Sequence, residues 1–333
     1  MKILSGDIGG TKTLLEISEV LKGEIKVIAR HRYESSAYSN FSNLLSDFLN
    51  QYDDSQQPTL SNACFGVAGP VQEIGNKTSS QVTNLPWLLD SDEISDQLKV
   101  KTIKIINDFV SVGYGIGILS RSELFNLQFG ESRPKSTRLV IGAGTGLGVA
   151  QLVWCDGDYR VLGTEGGHTD FAPRNDVQIE LLRYLNKKRG RASIESVLSG
   201  PGLVNIYRFL TEYRSGAKPQ LSNILGQHDP AAAIAQAAES EADKVASEAM
   251  DIFVSIYGGV CGNFALSTMA LGGVYIAGGI APKIIKRLNS GTFIEAFCDK
   301  GKMANLAKKF QVEVVMNPDV GLIGTRYVAS KLI

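Results

Sequence analysis

The chain has 333 residues, 44% of them apolar and 20% charged, and its 34 basic and 34 acidic side chains cancel. That length exceeds a comfortable single core, so two domains are expected. The balanced charge gives no support for a nucleic-acid partner, and no run of eighteen apolar residues offers a membrane span. The opening residues run straight into a glycine turn, so no signal peptide is expected. Four scattered cysteines (Cys64, Cys155, Cys261, Cys298) form no CxxC pair, so zinc sites and disulfides are not expected. A cytoplasmic enzyme with reduced thiols fits these numbers.

In chain order, Ile3 to Gly10 reads as a strand ending in Asp7-Ile8-Gly9-Gly10-Thr11. Thr13 to Ser18 and Glu24 to Arg30 follow as two more strands, which makes an antiparallel meander with a glycine loop in its first hairpin. Phe41 to Tyr52 has helical spacing. Ala63 to Ala68 and Thr102 to Ile106 read as buried parallel strands, with a polar helix, Ser91 to Leu98, between them.

The pattern then restarts. Arg138 to Ile141, the loop Gly142-Ala143-Gly144-Thr145-Gly146-Leu147-Gly148, Val149 to Trp154 and Tyr159 to Leu162 again give strand, glycine loop, strand, strand. Arg214 to Asp229 reads as a loop. Asp229-Pro230 sets an N-cap and first-turn proline for a helix over Ala231 to Ala238. A second helix is expected from near Ser240 toward Leu271, with Gly258 and Gly259 as its weak point. Val274 to Ala277 and Val312 to Val315 are parallel strands, a helix starts at Pro282, and Val320 to Ile333 forms a last helix.

A meander followed by mixed βα units, twice over, predicts an α/β chain with the actin-like, ribonuclease H-like two-domain ATPase fold and an interdomain cleft. The expected small domain is 1–109 plus about 318–333, and the large one 110–317. Glycine brings backbone N–H groups close to a polyanion and threonine adds a hydroxyl donor. Two such loops suggest a nucleotide's phosphates held from both sides, as in a kinase or ATPase.

Asn107-Asp108 follows the strand ending Ile105-Ile106. A carboxylate at a strand's carboxyl end suits the crevice where open α/β sheets bind ligands, and could accept an alcohol's proton during phosphoryl transfer. The same position equally suits an N-cap aspartate. Asn107 could offer a donor and an acceptor to a diol. In Gly163-Thr164-Glu165-Gly166-Gly167-His168, the glycines leave Glu165 and His168 on an open loop, either to meet sugar hydroxyls or merely as a turn. Glu195 reads as an ordinary exposed helix residue, and Asn84 as a turn asparagine before the packed Trp87. The double glycines around Val274 to Ala277, ending in Gly278-Gly279, would let a flat base lie against bare backbone. His31 and His228 read as surface residues.

Taken together, Gly6 to Thr11, Ile106 to Phe109, Gly142 to Val149, Glu165 to His168, Leu198 to Tyr207 and Gly272 to Ile280 resemble bacterial glucokinases of the hexokinase-like superfamily, in the proteobacterial and cyanobacterial branch. The resemblance covers nearly the whole chain. It implies ATP-dependent phosphorylation of glucose at its 6-hydroxyl, with Asp108 as general base. It also implies glucose contacts from Asn84, Asn107, Asp108, Glu165, His168 and Glu195. Phosphates and Mg²⁺ would fall to Asp7, Gly9, Gly10, Thr11, Gly144 and Thr145, with Asp7 holding Mg²⁺ through water, and the adenosine to Gly278 and Gly279. A homodimer is implied as well. Phe171-Ala172-Pro173 stands where the related ROK proteins carry a cysteine-rich zinc motif, which argues against that branch, although Lys12 after Thr11 looks more like the ROK pattern. Another hexose or amino-sugar kinase, or a non-catalytic sugar sensor, stays open.

Overall fold

Strand β1 (Lys2–Ile8) is buried along almost all its length, as a strand covered on both faces must be. The computed structural model describes residues 1–51, 60–75, 77–214 and 224–332. They form two units: 1–121 with 317–333, and 122–316. Tyr52 and Ile333, at the ends of two expected helices, lie outside the described residues, as does 215–223, most of the expected loop.

In the first unit, β1, β2 (Lys12–Leu21), β3 (Glu24–Glu34) and β4 (Leu60–Val67) are followed by the small sheet β5 (Val71–Ile74), β6 (Lys77–Gln81) and β7 (Leu88–Asp90), then by β8 (Thr102–Asn107). The main sheet has the order β3-β2-β1-β4-β8, with β1 antiparallel to β2 and parallel to β4. Alternation along the strands divides its apolar residues between two layers. Leu4, Ile8, Leu15, Ile17 and Phe65 pack on Phe41, Leu44, Leu45 and Phe48 of the helix Phe41–Asn50. Ile3, Cys64 and Ile106 pack instead with Val328 and Ala329 of the C-terminal helix, Val320–Lys331. The expected domain boundary after residue 109 falls inside this unit, in the first turn of the helix Asp108–Ile116.

That helix and the C-terminal helix touch backbone to backbone. A methyl on Gly324 would fall onto the Ser111 carbonyl, and one on Gly115 onto the Val320 carbonyl. Beneath them Glu16 is fully buried. It accepts from Ser18 Oγ at 2.7 Å, from Arg30 Nε and Nη2 at 2.9 and 2.6 Å, and from Arg326 Nη1 at 3.1 Å. Arg30 Nη1 also donates to Asp319 at 2.8 Å.

The second unit repeats the strand plan. β9 (Leu124–Gln128), β10 (Arg138–Ala143), β11 (Leu147–Cys155), β12 (Asp158–Thr164), β13 (Val274–Ala277) and β14 (Val312–Val315) form one sheet, ordered β12-β11-β10-β13-β14-β9. β10 to β12 are the antiparallel meander; β10, β13 and β14 run parallel; β9 closes the edge antiparallel to β14. The helix Lys244–Thr268 lies in this core and runs unbroken through Gly258 and Gly259. The supposed weak point is a contact: a methyl on Gly258 would fall onto the Phe293 carbonyl. At 25 residues this helix is long and apolar enough to cross a membrane, yet it is mostly buried in the protein core. The helix from Asp229-Pro230 runs Pro230–Glu239, capped by Asp229. Pro282 sits in a 3₁₀ turn, Ala281–Ile284, rather than at a helix start.

Gly324→Ala forces the two helices of the first unit apart. Overpacking of this kind costs about 1–3 kcal/mol, so its thermal unfolding midpoint is expected several degrees below wild type, whereas Ala on the exposed Gly117, with φ −65° and no atom nearer than 3.7 Å to the added methyl, would give a much smaller change. Equal midpoints for Gly324→Ala and wild type would contradict the close approach.

Candidate active site

The first unit gathers its chemistry at the carboxyl ends of β1 and β8, which flank β4; Asp7 stands in register with Gly66, and Val67 with Asn107. The turn after Asp7 is closed by the Gly9 amide donating to the Lys12 carbonyl at 3.0 Å and by Ser35 Oγ donating to the Gly9 carbonyl at 2.8 Å. The Gly9 amide is therefore committed, while those of Gly10 and Thr11 make no backbone bond among the described residues. Gly10 lies against Thr83 and Asn84: a Cβ there would stand 2.8 Å from the Thr83 carbonyl and 3.7 Å from Asn84 Cβ. Asn84 adopts the left-handed conformation, φ +65°, that asparagine tolerates in turns.

Asn107, not Asp108, is the N-cap of the helix Asp108–Ile116; its Oδ1 accepts from Phe109 N at 2.9 Å and Val110 N at 3.3 Å. That settles the cap question and leaves Asp108 in the first turn. One of its oxygens accepts from Phe109 N at 2.8 Å. Asn107 Oδ1 is spent on the cap, and its amide nitrogen donates to the Gly69 carbonyl at 3.3 Å.

Both carboxyls are held above the usual range. Burial pushes Asp108 up to about 6, and the negative charge of Asp7 adds to it, against the hydrogen bonds from the Phe109 amide and Asn107. Burial likewise pushes Asp7 up to about 6; Lys12 opposes this and Asp319 adds to it. Lys12, which the sequence left without a role, is thus a cation facing Asp7. Gly321, at the start of the C-terminal helix, makes room for Asp7: a Cβ there would lie 3.2 Å from Asp7 Oδ2.

The second unit arranges its candidates around the loop Gly142 to Gly148. The Gly144 amide donates to the Gly146 carbonyl, and the Gly200 amide to the Gly144 carbonyl, both at 2.8 Å. Thr145 is exposed. Ala143, at the loop's entry, donates to the buried Tyr257 hydroxyl at 3.2 Å and accepts from the Ile280 amide at 3.3 Å. Gly278 has φ +83°, and a Cβ there would lie 2.5 Å from the Ala143 carbonyl, whereas Gly279 faces open space. Glu165 precedes and His168 ends a 3₁₀ turn, Gly166–His168, with Glu165 Oε2 3.8 Å from His168 Nε2 and side chains 81% and 60% exposed. Gly167 presses that turn onto Leu147.

Glu195 is not on a helix. It sits in the turns before the helix Gly200–Arg208, its amide donating to the Gly167 carbonyl at 2.9 Å and its Oε2 accepting from Leu147 N at 2.8 Å. The structure thus brings Asp7, Gly9, Gly10, Thr11, Asn84, Asn107 and Asp108 together in one unit. Gly144, Thr145, Glu165, His168, Glu195, Gly278 and Gly279 come together in the other. Sequence reading passed over Asp319, Tyr257 and the Glu16 cluster. Glu16 had a signal, a lone charge within Thr13-Leu14-Leu15-Glu16-Ile17; Asp319 and Tyr257 had none.

The raised carboxyls carry a stability cost with a definite sign. Between about pH 4 and 6 the folded protein holds protons that the unfolded chain, with ordinary carboxyls at 3.8, has released. Stability from these groups therefore falls as pH rises through that window. Asp108→Asn removes the partly buried charge, so its thermal midpoint at pH 7.5 is expected ~2–4 °C above wild type, the advantage fading below pH 5. Scanning calorimetry at both pH values decides it; a lower midpoint at pH 7.5 would contradict the charge penalty.

A family model described as Glucokinase matches residues 4–332. The curated Glucokinase of Trichormus variabilis is 39% identical over 345 aligned positions, which cover 99% of this chain and 99% of that one. Among solved structures, glucokinase from an Antarctic psychrotroph superposes with TM-score 0.84 at 29% identity, covering 99% and 98% of the two chains. A ROK-family glucokinase from Streptomyces griseus, solved with glucose and AMPPNP, shares the fold at TM-score 0.62 and 15% identity, covering 99% of this chain and 100% of that one. The repeated meander-plus-parallel sheet is thus the fold of these sugar kinases, and by family match and full-length identity the chain belongs to the glucokinase family.

Proposed function

We propose that this chain transfers the γ-phosphoryl group of ATP to the 6-hydroxyl of glucose, with Asp108 as the base that accepts the hydroxyl proton. The observation that carries the base assignment is that Asn107 supplies the helix cap while Asp108 is raised to about 6. A carboxylate with that value is a stronger base than an ordinary aspartate and is still deprotonated at neutral pH. In phosphoryl transfer most of the catalysis is positioning and charge stabilisation. The free amides of Gly10 and Thr11 and the loop around Gly144 and Thr145 suit phosphate oxygens, and Gly278-Gly279 suits the adenosine.

Glucose falls to Asn84, Asn107 and Asp108 of one unit and Glu165, His168 and Glu195 of the other, so this reading needs groups from both units on one sugar. That is the interdomain cleft expected of the actin-like fold. Glu165 and His168 stand largely exposed, as ligands waiting for a substrate would. Once both bond sugar hydroxyls, an epimer that leaves one of them unpaired loses about 1–3 kcal/mol.

Mg²⁺ fits the donor set: Asp7 is a carboxyl made costlier to ionise first by burial and then by Asp319, and a cation relieves that. Asp7 would hold the ion through water, as Mg²⁺ commonly prefers, and the ion would neutralise charge on the phosphates. With the family reading go a cytoplasmic homodimer and the entry of glucose into glycolysis.

The test is coupled ADP release with glucose, fructose, mannose and N-acetylglucosamine, using wild type and Asp108→Asn. Glucose should dominate, Asp108→Asn should lose at least ~100-fold in kcat, and wild-type kcat/KM should fall as pH drops through about 6. Turnover favouring another sugar replaces the substrate and keeps the base; undiminished turnover by Asp108→Asn removes the base. No turnover with any sugar makes a sugar sensor the better reading.

A further inference from the structure

Glu195 touches two groups that the reading above gives to different substrates. Its backbone is tied to the Glu165–His168 turn through the Gly167 carbonyl. Its side chain reaches the other way, into the second glycine loop. There Oε2 accepts the Leu147 amide at 2.8 Å, and a Cβ on Gly146 would stand 2.6 Å from that same oxygen. Few other bonds hold the loop's middle: the internal Gly144-to-Gly146 bond and the Gly200 amide on the Gly144 carbonyl. Among the described residues, the Glu195 carboxylate makes the side-chain bond to this stretch.

A carboxylate has two oxygens and about four lone-pair sites, so holding one amide leaves Oε1 for a sugar hydroxyl. We infer that Glu195 is the positioning residue of the second glycine loop. Its carboxylate fixes the Gly146-Leu147 backbone before any nucleotide arrives, and the same group serves the sugar. This rests on the loop being a phosphate loop, as proposed above. The loop needs an acceptor at this point rather than a charge. A negative charge beside phosphates would by itself weaken nucleotide binding, so a tether and a bare charge predict opposite signs when the side chain is cut away.

The experiment is titration of the full-length protein with MgADP, without sugar, by calorimetry. A hydrogen bond to a charged acceptor is worth about a factor of ten or more in binding when its loss unhinges the site. Glu195→Ala should therefore weaken MgADP about tenfold. Glu195→Gln keeps an acceptor oxygen and should stay within about threefold of wild type. Gly146→Ala pushes a methyl against Oε2 and should match Glu195→Ala, with the double variant no weaker than either single one. Circular dichroism shows that each variant is folded. Binding by Glu195→Ala that equals or exceeds wild type overturns the tether, as does a double variant showing the summed loss. If the folded wild type binds no MgADP, the phosphate-loop reading itself falls, and the tether with it.

Discussion

Holding Asp7 and Asp108 partly out of water at the ends of β1 and β8 is the constraint around which the first unit is built. Burial raises the cost of ionising both; the charge of Asp7 adds to it at Asp108, and that of Asp319 at Asp7. Such groups persist only where the surrounding packing over-determines them. Here it does. The flanking strands are apolar on both faces, one helix layer covers each side, and Asn107 takes the cap that would otherwise consume Asp108. The charge penalty that destabilises the fold at neutral pH is the same property that makes Asp108 an effective base.

The Glu16 cluster shows how that arrangement is braced. A fully buried carboxylate alone would be costly, but Arg30 and Arg326 with Ser18 satisfy it. Buried ion pairs are weak evidence for stability in themselves. Their effect here is geometric: Arg30 bridges Glu16 on β2 to Asp319 at the head of the C-terminal helix, the residue whose charge Asp7 feels. Gly321 and Gly324 let that helix lie close enough for the bridge to form.

The second unit holds its loop chiefly through hydrogen bonds to its backbone. Its loop is held by contacts from three separate stretches: Tyr257 in the core helix, the 278–280 turn after β13, and the 195–200 turns. Glu165 and His168, assigned to the sugar, are left open to solvent, and the backbone beneath them is fixed. Rigid backbone under exposed ligands is what binding without large reorganisation requires.

Much of this was legible in the residues. Period-two and period-3.6 patterns marked both meanders, the helices Ser91–Leu98 and Pro230–Glu239, and the strands β13 and β14, because burial on a strand or helix leaves its period in the chain. The glycine loops and Asp108 stood out because few residue types allow close backbone approach or carry a proton. The small sheet β5 to β7 was not legible: Lys77-Thr78-Ser79-Ser80-Gln81 is a polar strand with no apolar period. Nor was the place of Glu195, which looked like a helix residue until its partner 48 positions away, Leu147, was beside it. The sequence by itself determined the strand plan and the kinds of chemistry available. Only the tertiary structure decided which carboxyls are raised, which amides remain free and what braces them. Those depend on burial and on hydrogen bonds between distant residues, neither of which leaves a local pattern.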